Sequence, residues 1–387
     1  MHDSNQAPPR DPDDLPFQTA GASPPTLTGT FESELSPPPP ETRSDERGLT
    51  IWLGIVAAAF VASALFGQAE LGLLTALGGM FAVAHAVDRD ARWTLLHNFL
   101  AWIPPVMGAL MFAGIAYVFS GHAYLSTVTL PPAERTAGIV SSIVAAALTL
   151  LLLVRPLTDG LAKILFRSPD TGHTTRLGAR LVVMGFLLAV PGWLLLKGMA
   201  ASSDLDPLAL GTSSFIGSVI GFTLLSLGAV GFLIGRDVRE TAARLGIRRI
   251  AGRDVLAIVL GLFAILALNV AMEWFGQRFA PVSFARDQAM NELIAGRLTR
   301  VETLLLGVSA GVGEELAMRG ALQPRFGLIG TSLLFAVLHV QYSPIGILTI
   351  AALGMLLGLI RKRTSTSTAI AVHVLYDIVA ALGIQHG

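Results

Sequence analysis

From Gly48 to the C-terminus, apolar residues run in stretches too long and too frequent for the core of a water-soluble protein. A helix that crosses a bilayer needs about 20 mostly apolar residues. The chain offers eleven such segments, at 49–66, 70–87, 97–119, 137–155, 179–197, 213–235, 254–273, 300–322, 327–342, 344–360 and 368–384. No period of 20–50 residues repeats along them. The pattern predicts an all-α polytopic membrane protein with about eleven transmembrane helices. Polar residues interrupt it in the loops, in a mixed segment at 274–299 and at a few positions inside the last spans.

The first 46 residues follow a different rule. They hold ten of the 21 prolines, including the run Pro37–Pro40, and few large apolar side chains. Such a segment cannot bury enough surface to offset its ordering entropy, so a disordered tail is expected. It has no basic start followed by a short apolar run, and so is not a signal peptide. The chain therefore divides into a Pro-rich acidic tail at 1–47, transmembrane helices of unassigned role at 48–240, and a C-terminal part at 241–387.

Composition agrees with a membrane protein. Of 387 residues 52% are hydrophobic and 14% charged, with a mean hydropathy of +0.63. Soluble chains carry roughly 25% charged residues, which argues against a soluble enzyme, a nucleic-acid binder or a disordered protein. The formal net charge of zero hides a split. Nine acids and two bases give the first 46 residues −7, and the remaining body carries +7. Lysine occurs only at Lys163, Lys197 and Lys362, a skew read as prokaryotic composition. With no cysteine, disulfides and thiolate chemistry are excluded.

The body's arginines mark alternate loops. Arg43 and Arg47, Arg89 and Arg92, the loop from Arg155 to Arg180, the loop from Arg236 to Arg253, Arg325, and Arg361 to Arg363 form one set. The intervening loops are poorer in bases, 274–300 excepted. By the positive-inside tendency, this places the N-terminus in the cytoplasm and the C-terminus outside a plasma or inner membrane. The mixed outer segment 274–299 reads as a helix on the membrane face or a cap over a cavity.

A charged side chain at the bilayer centre costs about 2.5–3.5 kcal/mol on insertion scales, and persists when paired or functional. In 311–320, GVGEELAMRG, Glu314, Glu315 and Arg319 interrupt an apolar span. Glu315 and Arg319 are four apart and share a helical face, so they can pair. Glu314 is turned about 100° away, which leaves it free to act. A salt-bridge cluster that only locks helices together is the bland alternative. Most of the eight histidines fall at termini, span ends or loops, but His339 and His373 sit inside apolar spans. Phe335 precedes His339 by four residues, and Asp377 follows His373 by four, where it can orient the ring or share a water or metal with it. At 1.5 Å per residue, Glu314, His339 and His373 lie ~12, ~18 and ~8 Å from the inner ends of their helices. They can therefore meet in one cavity. A glutamate, two histidines and an aspartate suit water activation, the carboxylate taking the proton and the histidines positioning water, holding a metal or stabilising an oxyanion.

These residues stand in three motifs: Glu314-Glu315-Leu316-Ala317-Met318-Arg319, Phe335-Ala336-Val337-Leu338-His339 and His373-Val374-Leu375-Tyr376-Asp377. Their order and spacing resemble the CPBP family of intramembrane proteases, which includes CAAX prenyl endopeptidases and Abi-type proteins, over roughly residues 243–387. The segment 243–255 is similar to the linker that often precedes that family's domain. The resemblance implies that Glu314 is the general base and that His339 and His373 bind water or a metal and stabilise the oxyanion. It implies that Asp377 completes the site and that Glu315 and Arg319 support it. Asp377 departs from the family's usual asparagine: an ionised carboxylate accepts hydrogen bonds but cannot donate. His339 and His373, with Glu314 or Asp377, would suffice for a zinc site, and a metal-free mechanism is the alternative.

The function expected is an intramembrane endopeptidase acting on a membrane-associated peptide or protein within the lipid bilayer, with no nucleic-acid partner. A proton- or ion-coupled transporter, or a non-catalytic scaffold or immunity protein of the same fold, are the competing classes. Against transport, there are no paired inverted halves and the ionisable groups crowd into the C-terminal quarter.

Overall fold

The computed structural model describes residues 41–121, 128–167, 171–200 and 211–386, which form fifteen α-helices and no β-strand. Residues 1–40, most of the expected tail, lie outside the described residues. In order the helices are α1 (Glu41–Phe66), α2 (Ala69–Arg89), α3 (Thr94–Ser120), α4 (Pro132–Leu151), α5 (Arg155–Phe166), α6 (His173–Ala200), α7 (Thr212–Ala229) and α8 (Val238–Leu245). They continue as α9 (Gly252–Phe279), α10 (Pro281–Ala295), α11 (Arg300–Glu315), α12 (Gln323–Phe326), α13 (Leu328–Val337), α14 (Pro344–Arg363) and α15 (Thr366–His386). Among them α1, α2, α3, α4, α6, α7, α9, α14 and α15 are long and apolar enough to cross a membrane. Large apolar side chains such as Phe60, Phe99, Leu110 and Phe263 stay exposed on their outward faces, as lipid contact requires. The protein is an all-α, multi-pass membrane protein.

Two of the eleven expected segments depart from a plain span. Along 300–322, α11 stops at Glu315 and a π-helical turn occupies Leu316–Leu322. Two residues on, Pro324 has no N–H to return to the Gly320 carbonyl. Arg244 of α8 takes that carbonyl instead at 3.0 Å, and the Ala321 carbonyl at 3.3 Å. Along 327–342, α13 has only ten residues and ends at Val337, so His339 lies beyond the helix and not inside it. Pro344 follows closely and disfavours helix at the residue before it.

Three further differences concern the loops. Helix α1 begins at Glu41, inside the stretch assigned to the tail, and Asp45 and Glu46 pair with Arg89 (2.8 Å) at the end of α2 and Arg92 (2.6 Å) just after it. In the segment 274–299, residues to Phe279 continue α9 and only Pro281–Ala295 form a separate helix. The basic loop after α4 contains α5, which buries Thr158, Ala162 and Phe166 on one face at helical spacing.

Hydrogen bonds fix which ends lie together. The Thr366 amide donates to the Gly246 carbonyl (3.0 Å) and the Arg248 amide to Ser367 Oγ (3.0 Å), placing the start of α15 beside α8. At the other end, Gln385 Nε2 donates to the carbonyls of Ala295 (3.1 Å) and Leu298 (3.0 Å) and to Thr303 Oγ1 (3.0 Å). Helices α8 and α10 thus sit at opposite ends of α15, about 30 Å apart. Between them α11 lies directly on α15. A Cβ on Gly311 would come 2.7 Å from the Val374 backbone nitrogen, and one on Gly307 3.0 Å from the Val374 carbonyl oxygen. The four-residue spacing of these glycines is the small-xxx-small pattern that lets two membrane helices touch backbone to backbone.

Candidate active site

That close approach puts the end of α11 against the first half of α15. Glu315 and Arg319 are wholly buried, with Oε1 and Nη1 3.1 Å apart. The angle is not that of a hydrogen bond, since Nη1 and Nε of Arg319 and Oε2 of Glu315 have no hydrogen-bond partner among the described residues. The pair is held by charge, and Arg319 Nη2 donates to the Gly354 carbonyl at 3.2 Å. The same Glu315 Oε1 lies 3.0 Å from His373 Nδ1. On the other side of the ring, His373 Nε2 is 3.4 Å from Asp377 Oδ2. Both nitrogens of His373 thus face carboxylate oxygens.

His339 joins this cluster through an aromatic ring. Its Nδ1 lies 2.8 Å from the Phe335 carbonyl oxygen. A carbonyl only accepts, so Nδ1 carries the proton and donates, and Nε2 is the nitrogen turned to the site. The buried Phe335 ring sits 4.7 Å from the His339 ring, 6.3 Å from that of His373 and 4.5 Å below the Arg319 guanidinium. Glu314 has no hydrogen bond or ion pair among the described residues. The residue as a whole is half-buried, and its carboxylate lies within electrostatic range of His373, Glu315 and Arg319. The structure therefore links Glu315, Arg319, His373 and Asp377 through polar contacts, brings His339 in by way of Phe335, and leaves Glu314 unengaged beside them.

Sequence reasoning missed the polar residues around this cluster. Asp287 of α10 accepts from the Ser343 amide (2.7 Å) and Ser343 Oγ (2.6 Å), and Tyr342 donates to Asn291 (2.8 Å). These bonds tie α10 to the loop that carries His339. Tyr376 donates to Asn269 at 3.2 Å, and Asn269 to Glu273 at 2.7 Å. The weak signal for them was polar residues recurring in α9 and in the mixed segment that follows.

The three ligands a zinc ion needs are not assembled among the described residues. His373 has Nδ1 bonded to Glu315 and Nε2 3.4 Å from Asp377, and His339 has one nitrogen spent on a carbonyl. No three His, Cys, Asp or Glu side chains converge on one point among the described residues, whereas a catalytic zinc needs three protein ligands at about 2 Å.

A family model described as type II CAAX prenyl endopeptidase Rce1-like matches residues 297–379. That stretch holds Glu314, Glu315, Arg319, His339, His373 and Asp377. The uncharacterized protein YpbD of Bacillus subtilis (strain 168) is 30% identical over 167 residues, covering 42% of this chain and 84% of that protein. The chain belongs to the CPBP family. No solved structure matches it. Membership of this CPBP, Rce1-like group supports CAAX-type intramembrane protease activity. The family model begins three residues before α11, so α1 to α10 lie outside the matched stretch.

Proposed function

We propose that the chain is an intramembrane endopeptidase that hydrolyses a peptide bond of a membrane-associated protein or peptide with glutamate-activated water and no metal. The observation that carries this reading is the contrast between two adjacent carboxylates. Glu315 is sealed and paired, while Glu314 is half-buried, unengaged and within electrostatic range of His373. Glu314 is the general base that takes a proton from water. His339 offers its bare Nε2 to the same water. His373, with its ring nitrogens facing Glu315 and Asp377, keeps a fixed orientation and acts through its field, not through a direct hydrogen bond, on the oxyanion that forms as the carbonyl is attacked. Glu315 and Arg319 are positioning residues.

The arginine-rich loops put α8, α12 and the N-terminus in the cytoplasm and α10 outside, in a cell membrane. The residues at 241–387 form the protease unit, and α1 to α7 a flanking unit. The prokaryotic composition argues for an unprenylated substrate. Glu314→Gln in the full chain tests the reading, with membrane-proteome fragments compared against wild type by mass spectrometry. Fragments present only with the wild type are expected, and identical fragment sets would leave the scaffold reading standing.

A further inference from the structure

Away from the protease site, the structure holds a cavity of about 610 Å³ lined by His85 and Asp88 of α2, the start of α6 at Thr174 and Thr175, the turn ending in Arg236, and Arg325 of α12. Its charges are unbalanced. Asp88 is spent on the α6 terminus, accepting from the His173 amide (2.9 Å) and the Thr174 amide (3.4 Å) and facing the His173 ring at 2.8 Å. Arg89, at the rim, is taken by Asp45. Arg236 donates to the Val230 carbonyl, and Arg325 has no hydrogen bond or ion pair among the described residues. Just behind them Arg244 is satisfied by the Gly320 and Ala321 carbonyls.

Three guanidinium groups therefore sit in each other's field, Arg236 and Arg244 bonded to carbonyls and none paired with a carboxylate, although Asp88 reaches Arg325 through its field. Burial and the charges of Arg325 and Arg236 pull the Arg244 pKa down to about 10, and partial desolvation and Arg236 pull down that of Arg325, an exposed residue, against the opposing charge of Asp88. An anion in the cavity would relieve the mutual repulsion of these arginines. The cavity also lies at the end of α2 and the start of α6, the depth of lipid headgroups for two helices long enough to span the bilayer. Gly235, at φ +79°, keeps its wall thin, since a Cβ there would meet the Arg89 guanidinium at 2.7 Å.

We propose that this cavity binds a phosphate-bearing anion, with Arg236 and Arg325 gripping the phosphate oxygens. Planar, fork-shaped arginine donors match a phosphate better than any single-point cation, and the volume is that of an ordinary ligand pocket. The phosphate belongs either to an anionic phospholipid headgroup or to a soluble phosphorylated molecule.

The test uses the full chain in nanodiscs of phosphatidylcholine alone or with phosphatidylglycerol, titrated with inorganic pyrophosphate at matched ionic strength. Bound lipid is counted by native mass spectrometry, and the thermal midpoint is followed. Retention of phosphatidylglycerol that pyrophosphate does not displace assigns the site to a headgroup. A pyrophosphate-dependent rise of the midpoint in phosphatidylcholine alone assigns it to a soluble phosphate. In either arm Arg236→Gln with Arg325→Gln should weaken binding at least about tenfold, while Arg249→Gln with Arg253→Gln, exposed arginines outside the cavity, should not. No effect of either ligand on the wild type overturns the proposal, as does an equal loss in both double variants. Should the first double variant fail to fold, the wild-type titration against chloride decides.

Discussion

His373 Nδ1 lies 3.0 Å from Glu315 Oε1, a contact between α15 and the end of α11 across 58 residues of chain in which neither side chain is exposed. It makes Glu315 the hub of the buried charges, since the same oxygen faces Arg319. Breaking a buried pair by removing one partner leaves an uncompensated charge and costs about 3–5 kcal/mol. Glu315→Gln should therefore lower the thermal midpoint sharply, measured by tryptophan fluorescence in detergent. A midpoint unchanged within 1 °C would show that Glu315 does not hold Arg319 in place.

Its neighbour should behave in the opposite way. Glu314 is partly exposed and engaged by no side chain among the described residues, so Glu314→Gln removes no pairing. Stability is expected within about 0.5 kcal/mol of wild type, with turnover of a cleaved membrane substrate down about 10²- to 10⁴-fold, the range for a general base. Measured together, the two glutamate variants separate base from support. Retained activity in Glu314→Gln would move the base elsewhere.

Much of this was legible in the chain because a charge within twenty apolar residues is conspicuous whatever the fold. Glu314, Glu315, Arg319, His373 and Asp377 all stood out in that way, and nine of the expected spans rest on apolar length alone. Other features depend on tertiary contacts that periodicity does not encode. The π turn after Glu315 goes with two carbonyls, of Gly320 and Ala321, to which Arg244 donates from α8. The end of α13 before His339 goes with a loop that Asp287 and Asn291 pin from α10. Those two residues sit in a mixed segment where polar side chains excite no notice. Arg236 and Arg325 read as ordinary topology-setting bases, and only the fold shows them facing one cavity.

Asp377 tests how much the departure from asparagine matters. Its Oδ2 faces His373 Nε2 at 3.4 Å, and an asparagine oxygen could accept from the same nitrogen. Asp377→Asn should keep activity within about tenfold, whereas Asp377→Ala, which leaves the ring unsupported, should lose about a further tenfold, the scale of one hydrogen bond to a charged group. Equal rates for the two variants would show that Asp377 does not orient His373.

The glycine seam between α11 and α15 makes a prediction about geometry without touching a charge. Gly311→Ala would set a methyl 2.5 Å from Val374 Cγ2 and 2.7 Å from its backbone nitrogen, and backbone cannot yield as a flexible side chain does. The helices must separate, at a cost of about 1–3 kcal/mol for overpacking, and the Glu315–His373 contact must lengthen with them. Activity should fall with the midpoint, while Gly54→Ala, where a Cβ meets nothing within 4 Å, should change neither. A fully active Gly311→Ala would mean that the site tolerates a wider seam.

Removing metals distinguishes the proposed chemistry from the zinc reading that the two histidines invite. With both His373 nitrogens facing carboxylates and His339 Nδ1 committed to a carbonyl, the ring nitrogens available to a cation reduce to one, His339 Nε2. A zinc site would require His373 to give up Glu315 or Asp377, at the cost of the buried network that orients it. Dialysis of the full chain against a strong chelator should therefore leave the cleavage rate unchanged, and elemental analysis should find zinc well below one atom per chain. Activity lost on chelation and restored by zinc would show that the carboxylates around His373 rearrange to admit the ion, and would replace the glutamate-only route with a metal-assisted one.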